Sequence, residues 1–518
     1  MTSLKELIVV LAIAAVVFRL AKPIALLFSS KEDFSRRRNA WFTLTAAAFV
    51  CPSFWLFALI AIPVLMSAGR KDSNPGALYL LLLQVIPAIP VDVPMPGLSR
   101  LFEIDIYILL SLFVMLPAAL RLARSKTRVG IRGLAGMDAL LISYGILTVF
   151  LFLHPESSRG MVWSLTFASA LRRVFAFFVG IYLPYFVISR SVSRRGVIVE
   201  DMAALCLACA VMAGIAMFEG ATHWLLYGET ATHWGFANIA SVYYMRGAAV
   251  RAMASAGHPL ALGYMLEIAF GFWLYLQSHA MSRRYRFGVA ALLWMGLLAT
   301  QSRGPWIAAA CVFFITFALR PRAVPALLKA AAIAGLLAFC ISLSPLGDRI
   351  ASELPFLGGA VGTGTVLYRH ELLDRAWQII QLSPFLGDQD ALLKMQDLRQ
   401  GEGIIDVVDT YVDVALSSGF IGLSLFLGFI LTGLLKSLAL CRRVVSADRD
   451  LGMLGASLVA CIVGTLIMMI DGSFGTILKQ LFYVLGALAA AYVYVGRLEI
   501  PAGNRPVGVS AALNPKGP

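Results

Sequence analysis

Charge is scarce in this chain: Asp, Glu, Lys and Arg together make up 14% of its 518 residues. A typical soluble protein carries about 25%. Apolar residues reach 59% and mean hydropathy is +0.81, too apolar to clothe an aqueous surface. Alternation of apolar and polar residues over ~10-residue segments is missing, which excludes a transmembrane β-barrel. The apolar stretches have instead the length of membrane-crossing helices.

Other absences narrow the function. There is no P-loop, no Gly-rich dinucleotide turn and no zinc signature, so cytoplasmic ATP-driven chemistry has no residues to rest on. Five of the six histidines (His154, His223, His233, His258, His370) fall on one expected side without metal-ligand spacing. The seven cysteines sit in or beside apolar spans or in a basic loop, so no disulfide framework is expected on the exposed face. The net charge of +14 is gathered in short loops between spans, which reports orientation and not a nucleic-acid partner.

Hydropathy predicts spans near 6–28, 40–67, 77–91, 105–120, 136–153, 172–189, 198–219, 258–278, 287–301, 305–319, 324–343, 414–436, 451–470 and 476–495. The expected fold is therefore an all-α polytopic membrane protein of about 13–14 transmembrane helices. Pro52-Ser53 leaves 40–67 open to folding as a hairpin. Arg121, Arg124, Lys126, Arg128 and Arg132, then Arg190, Arg194 and Arg195, then Arg283, Arg284 and Arg286, then Arg320 and Arg322, then Arg442 and Arg443 mark alternate loops as cytoplasmic. Segments 220–257 and 345–413 then lie outside. The second carries eleven carboxylates against five basic side chains, as a translocated segment should. The expected organisation is a helical body 1–344, a large, partly helical periplasmic loop 345–413, further helices 414–496 and a polar tail 497–518 expected to be disordered. The first span reads as a retained anchor. Ala-Thr-His-Trp occurs twice, at 221–224 and 231–234, and reads as interfacial Trp and His, with a sugar-stacking platform as the alternative.

Arginine is the informative residue type, because it is costly in a bilayer and faces a polar cavity or snorkels to the surface. Arg172 and Arg173 are expected at the outer end of one span. Arg246 and Arg251 precede Gly257-His258-Pro259. Arg303 sits in Gln301-Ser302-Arg303-Gly304-Pro305, where Ser302 reads as an N-cap and Pro305 suits the first helical turn. Helix N-termini beside guanidinium groups favour an anion. Val366–Gln381 reads as an amphipathic helix with Val366, Leu373, Trp377 and Ile380 on its apolar face. Arg369 projects to that face and Arg375 to water. Guanidinium forks match phosphate oxygens, so their convergence on one face points to a lipid diphosphate.

Arg251 with Gly257-His258-Pro259, then Thr300-Gln301-Ser302-Arg303-Gly304, Arg369 ahead of Ser383-Pro384-Phe385-Leu386-Gly387, and Val408-Asp409-Thr410-Tyr411 before Ser418-Gly419-Phe420-Ile421-Gly422 form an ordered set. This set resembles the O-antigen ligase/polymerase family of bacterial membrane glycosyltransferases over roughly 165–440. The resemblance implies a twelve-to-fourteen-helix fold and metal-independent transfer of undecaprenyl-diphosphate-linked glycans, without a cofactor. It also implies that Arg251, Arg303 and Arg369 engage the donor diphosphate. Ligases of the family carry a His-Asn pair in the last motif. Asp409-Thr410 stands there in this chain and resembles the exopolysaccharide polymerase branch.

The expected activity is glycan transfer from a polyprenyl diphosphate to a sugar hydroxyl of a lipid-linked acceptor. It would take place at the periplasmic face of the inner membrane, with inversion. Arg172 or Arg173 would support the diphosphate. Asp409 is the expected base, with Asp406 and His258 as alternates, Tyr411 beside them, and helix capping or arginine pairing as the structural alternative for Asp409. Expected partners are the lipid-linked donor and acceptor, membrane lipids, a chain-length regulator and export machinery, with no nucleic acid. The alternatives are ligation to lipid A–core and a lipid-linked glycan flippase or other transporter.

Overall fold

The computed structural model describes residues 2–94, 102–124, 135–153, 163–234, 244–246, 249–279, 282–320, 325, 363–399, 405, 407–473 and 475–499. Almost all of the expected span 324–343, residues 345–362 of the large loop, Asp406 and the tail beyond Glu499 lie outside the described residues.

The protein is an all-α polytopic membrane protein, with ten candidate membrane-spanning helices among the described residues. In chain order the helices used below are α1 (Thr2–Ala25), α2 (Lys31–Val50), α3 (Phe54–Lys71), α4 (Pro75–Leu82), α5 (Ile106–Arg124), α6 (Ala135–Leu153), α7 (Ala170–Arg190) and α8 (Arg195–Thr222). They continue with α9 (Pro259–Leu276), α10 (Arg283–Ala299), α11 (Arg303–Ala318), α12 (Thr363–Leu382), α13 (Thr410–Val444), α14 (Arg449–Met468) and α15 (Thr476–Glu499). Two short antiparallel ribbons, β1 (Val91–Asp92) with β2 (Glu103–Ile104) and β3 (Met245–Arg246) with β4 (Ala249–Val250), lie between them.

The apolar stretch 40–67 is split at Cys51–Ser53 into α2 and α3. Pro52 cannot donate a helical hydrogen bond, and the Ser53 hydroxyl accepts from Leu56 N at 3.4 Å to start the new helix. The hairpin is closed at its far end. Arg37, almost fully buried, donates Nε and Nη2 to the two Asp72 oxygens (2.8 and 2.6 Å) and pairs through Nη1 with Glu200 (2.8 Å). Three helices therefore meet at one charged knot.

The ion pairs and loop contacts define two faces. On the basic face, Arg195 pairs with Asp448 (2.7 Å), Asp450 (3.3 Å) and Glu499 (2.8 Å), and Arg190 with Asp138 (2.5 Å). At the opposite ends of the helices, Trp224 Nε1 donates to Glu6 (3.3 Å) and Trp234 Nε1 to the Cys51 carbonyl (3.1 Å). This second face carries the long connections and is called the loop face. The helix α9 is buried along nearly its whole length against α8, α11 and α14, and its N-terminus opens on the loop face next to that of α11.

Candidate active site

The N-terminus of α11 is the centre of the loop face. Gln301 takes a left-handed conformation (φ +47°) and turns the chain sharply from α10 into α11. Ser302 is the N-cap residue by position, as its sequence context predicts, but its hydroxyl makes no capping bond. It donates to the Thr300 carbonyl (3.1 Å) and accepts from Arg251 Nη2 (2.6 Å), while Arg251 Nε donates to Thr300 O (3.2 Å). A helix that gives up its serine cap keeps N–H groups available to another anion.

Arg251 is delivered by a strap. Its backbone N–H donates to Tyr244 O (2.8 Å) and that of Ala252 to Ala299 O (3.0 Å). Beneath the strap the fully buried Glu219 carboxylate accepts from Leu226 N (3.0 Å), Met253 N (3.0 Å) and Ala254 N (2.8 Å). Ala254 is held at φ +45°, a strained conformation for a residue with a side chain.

Arg369 reaches the same helix end from the other side. Its Nη1 pairs with Asp471 Oδ1 at 2.5 Å. The other Asp471 oxygen packs against Gly304, where a Cβ would lie only 2.5 Å away. Arg251, Arg303 and Arg369 are thus gathered around the first turn of α11. Residues 288–427 match the O-antigen ligase family. This O-antigen ligase-related region contains Arg303, Arg369 and Asp409, whereas Arg251 and His258 precede it. No curated protein matches the chain.

Within the O-antigen ligase-related region, Asp409 is the N-cap of α13 and accepts from Tyr411 N (2.8 Å) and Val412 N (3.2 Å) through one carboxylate oxygen. Burial pushes its carboxyl above the usual carboxylate range, against the pull of those two N–H groups and of the Arg369 charge. The capping alternative is therefore realised, and the residue is still within electrostatic reach of Arg369. Tyr411 donates its hydroxyl to the Leu466 carbonyl (2.6 Å), which fixes α13 to α14.

His258 is the N-cap of α9, its Nδ1 accepting from Leu260 N (3.2 Å). Burial, and secondly the Arg251 charge, push it down to about 4. The ring is therefore neutral near pH 7. With Nδ1 engaged as acceptor, Nε2 bears the proton and presents a donor, not a base.

Arg172 and Arg173 stand near the start of the candidate span Ala170–Arg190, in a helix whose first turns begin at Trp163. The Arg173 guanidinium lies over the Phe152 ring at 4.3 Å, within electrostatic reach of Lys479.

The amphipathic reading of α12 also needs correction. Leu372, Ala376, Ile379 and Ile380 form its buried stripe, whereas Leu373 and Trp377 are exposed. Its partners are the first turns of α13 and the short helix Ala391–Leu398, which together turn the buried stripe away from the hydrophobic average. Arg369 lies one turn before Leu372 on that stripe. Arg375 bonds Gln378 (3.1 Å) and the Lys394 carbonyl (3.4 Å) near the surface. The duplicated Ala-Thr-His-Trp is architectural in both copies: Trp224 and Trp234 tie the loop to α1 and α2, and His223, at φ +56°, ends α8 and accepts from Val250 N (3.2 Å). Their indole N–H groups are engaged by Glu6 and the Cys51 carbonyl.

Asp471 and Glu219 escaped the sequence reading. The one available signal for Asp471 was a single carboxylate in the short connection between two apolar spans. Glu219 lies inside an apolar span and gave a stronger hint, since a buried carboxylate there needs donors.

Proposed function

We propose that this protein is a polysaccharide polymerase. It transfers a glycan from an undecaprenyl-diphosphate-linked donor to a sugar hydroxyl of a lipid-linked acceptor. The work is done on the loop face, which is the periplasmic face of the bacterial inner membrane. The observation that carries the reading is the gathering of Arg251, Arg303 and Arg369 around the N-terminus of α11, with Asp409 beside Arg369.

In this mechanism the diphosphate sits against the first turn of α11 between the guanidinium groups. The acceptor hydroxyl oxygen attacks the anomeric carbon as the bond from that carbon to the phosphate oxygen breaks. The electron pair leaves with the diphosphate and the configuration inverts. The arginines neutralise the charge that develops on the departing group. The Asp409 oxygen remote from the cap takes the hydroxyl proton. His258, as a neutral donor, suits a hydrogen bond to phosphate or sugar oxygen and not proton removal.

Asp409-Thr410, standing where ligases carry His-Asn, supports polymerase over ligase. The grouping of Arg251, Arg303 and Arg369 at one face, at the start of α11, supports glycan transfer over transport. A chain-length regulator and export machinery fit as partners of a polymerase. The test is incubation of purified protein with a defined undecaprenyl-diphosphate oligosaccharide. A ladder of longer lipid-linked glycans is the expected product. Transfer only to lipid A–core, or movement of substrate across vesicles without a new glycosidic bond, overturns it.

A further inference from the structure

The two glycine-containing motifs of the large loop and of α13 meet backbone to backbone. The helix α13 is broken at Gly419 (φ +62°, ψ −170°), a conformation open to glycine alone. The turn Ser383–Gly387 fills the break. Phe420 N donates to Pro384 O (2.8 Å) and Ile421 N to Phe385 O (3.2 Å). In return Asp388 N donates to Leu416 O (2.6 Å), and Gln389 Nε2 donates to Ser417 O. Gly387 (φ +69°) and Gly419 are in such close contact that a Cβ on Gly419 would fall 2.3 Å from Phe385 O. The backbone groups that the break releases are thus satisfied by the turn.

The depth of this junction is informative. Thr410 N donates to Met469 O (2.9 Å), so α13 starts level with the end of α14. Gly419 lies nine residues further along α13, about 13 Å down the axis at ~1.5 Å per residue. Because α14, with 20 residues, matches the length of the ~30 Å hydrocarbon layer, its end marks the edge of that layer and Gly419 falls inside it. At this level Phe420 and Ile421 are exposed on the outer surface of α13, a candidate membrane span. Beside them Trp377, Leu382, Phe385, Leu386, Leu392 and Leu393 are 43–75% exposed. Irregular backbone at such a depth is tolerated where protein satisfies its polar groups, and here it does.

We infer that the end of α12 and the turn Ser383–Gly387 form a re-entrant element whose tip is immersed in the acyl chains of the loop-face leaflet. The occupant of the exposed apolar patch is bilayer lipid, because the patch continues the exposed surface of α13 at the same level. The Asp388–Lys394 ion pair lies at the level of Leu416, three residues nearer the start of α13 than Gly419, and Asp374 and His370 are exposed towards the start of α12. Arg369, at the outer end of this element, is thereby set at the boundary between water and hydrocarbon.

Nitroxide labels on F385C, L386C and L393C test this in full-length protein reconstituted into phosphatidylethanolamine/phosphatidylglycerol vesicles. D374C serves as the aqueous reference, and labelled wild-type protein corrects for its own cysteines. Relaxation by oxygen should exceed relaxation by a water-soluble nickel chelate at 385, 386 and 393, with the order inverted at 374. Chelate access at 385 and 386 equal to that at 374 overturns the inference by placing the turn in water. Exclusion of both agents also overturns it, since a protein surface then covers the patch. If F385C or L386C does not fold, as judged by gel filtration, L393C decides by itself, because its side chain points away from the protein. None of these readings depends on glycan transfer, so the proposed function can fail while the immersion stands, and the reverse.

Discussion

The Arg369 guanidinium and the Asp471 carboxylate form a 2.5 Å ion pair that rests on Gly304 at the start of α11. Residues from three separate segments are thereby joined at one helix N-terminus. A carboxylate beside N–H groups and arginines occupies the kind of position that a phosphate oxygen would take. In the proposed mechanism Asp471 would aim Arg369 at the donor diphosphate.

Removal of that aim should separate activity from stability. Both partners are partly exposed, 40% for Arg369 and 28% for Asp471, and such pairs contribute only about 0.2–1 kcal/mol. Asp471→Ala and Arg369→Ala should therefore leave thermal unfolding almost unchanged while reducing polymer formation by roughly tenfold or more, the equivalent of ~1.4 kcal/mol of transition-state stabilisation. The double variant should be no worse than Arg369→Ala. Additive losses in a double-mutant cycle would show that the two residues act independently.

Asp409 has two jobs that substitutions can divide. Asn retains a capping oxygen, so Asp409→Asn should fold normally and lose transfer by about 10²–10⁴-fold, the usual range for a general base. Asp409→Ala should lose the cap as well, at about 0.5–2 kcal/mol of stability. Because burial raises the Asp409 carboxyl, activity should be present above its displaced pKa and disappear as pH falls through it, a limb higher than that of an exposed aspartate. A pH–rate profile and melting curves check both, and full activity of the Asn variant sinks the base assignment.

Gly419 should tolerate no side chain. Alanine there would need a φ of +62° and would meet the Phe385 carbonyl, with strain of about 1–3 kcal/mol before the clash is counted. Gly419→Ala should release the Ser383–Gly387 turn and expose residues 383–399 to limited proteolysis while α14 and α15 stay protected. An unchanged digestion pattern would refute the weld between the two motifs.

Arg37 offers the contrasting case. It is almost completely buried and serves Asp72 and Glu200 at once, and loss of one partner of such a network costs about 3–5 kcal/mol. Arg37→Ala should abolish accumulation of folded protein in the membrane, whereas Arg369→Ala should accumulate normally. Quantitative immunoblots with fluorescence-detected gel filtration of both variants give the comparison.

The sequence by itself determined the membrane class and the all-α architecture. Hydrophobic length and basic loops act locally, and both can be read one segment at a time. It also determined which arginines were worth attention, because a guanidinium near an apolar span must find a partner. The hairpin at Pro52 was legible for a similar local reason. Tertiary structure alone decided which of those arginines meet. Arg251 and Arg369 converge on α11 from opposite sides. It alone revealed Asp471 and the seat beside Gly304, and it turned the buried stripe of α12 to Leu372 and Ala376, since the face a helix buries depends on the shape of its neighbour. The glycines of the two motifs likewise acquired meaning only when Gly387 and Gly419 were seen in contact, for a close approach of two backbones is a property of the pair and leaves no mark on either segment alone.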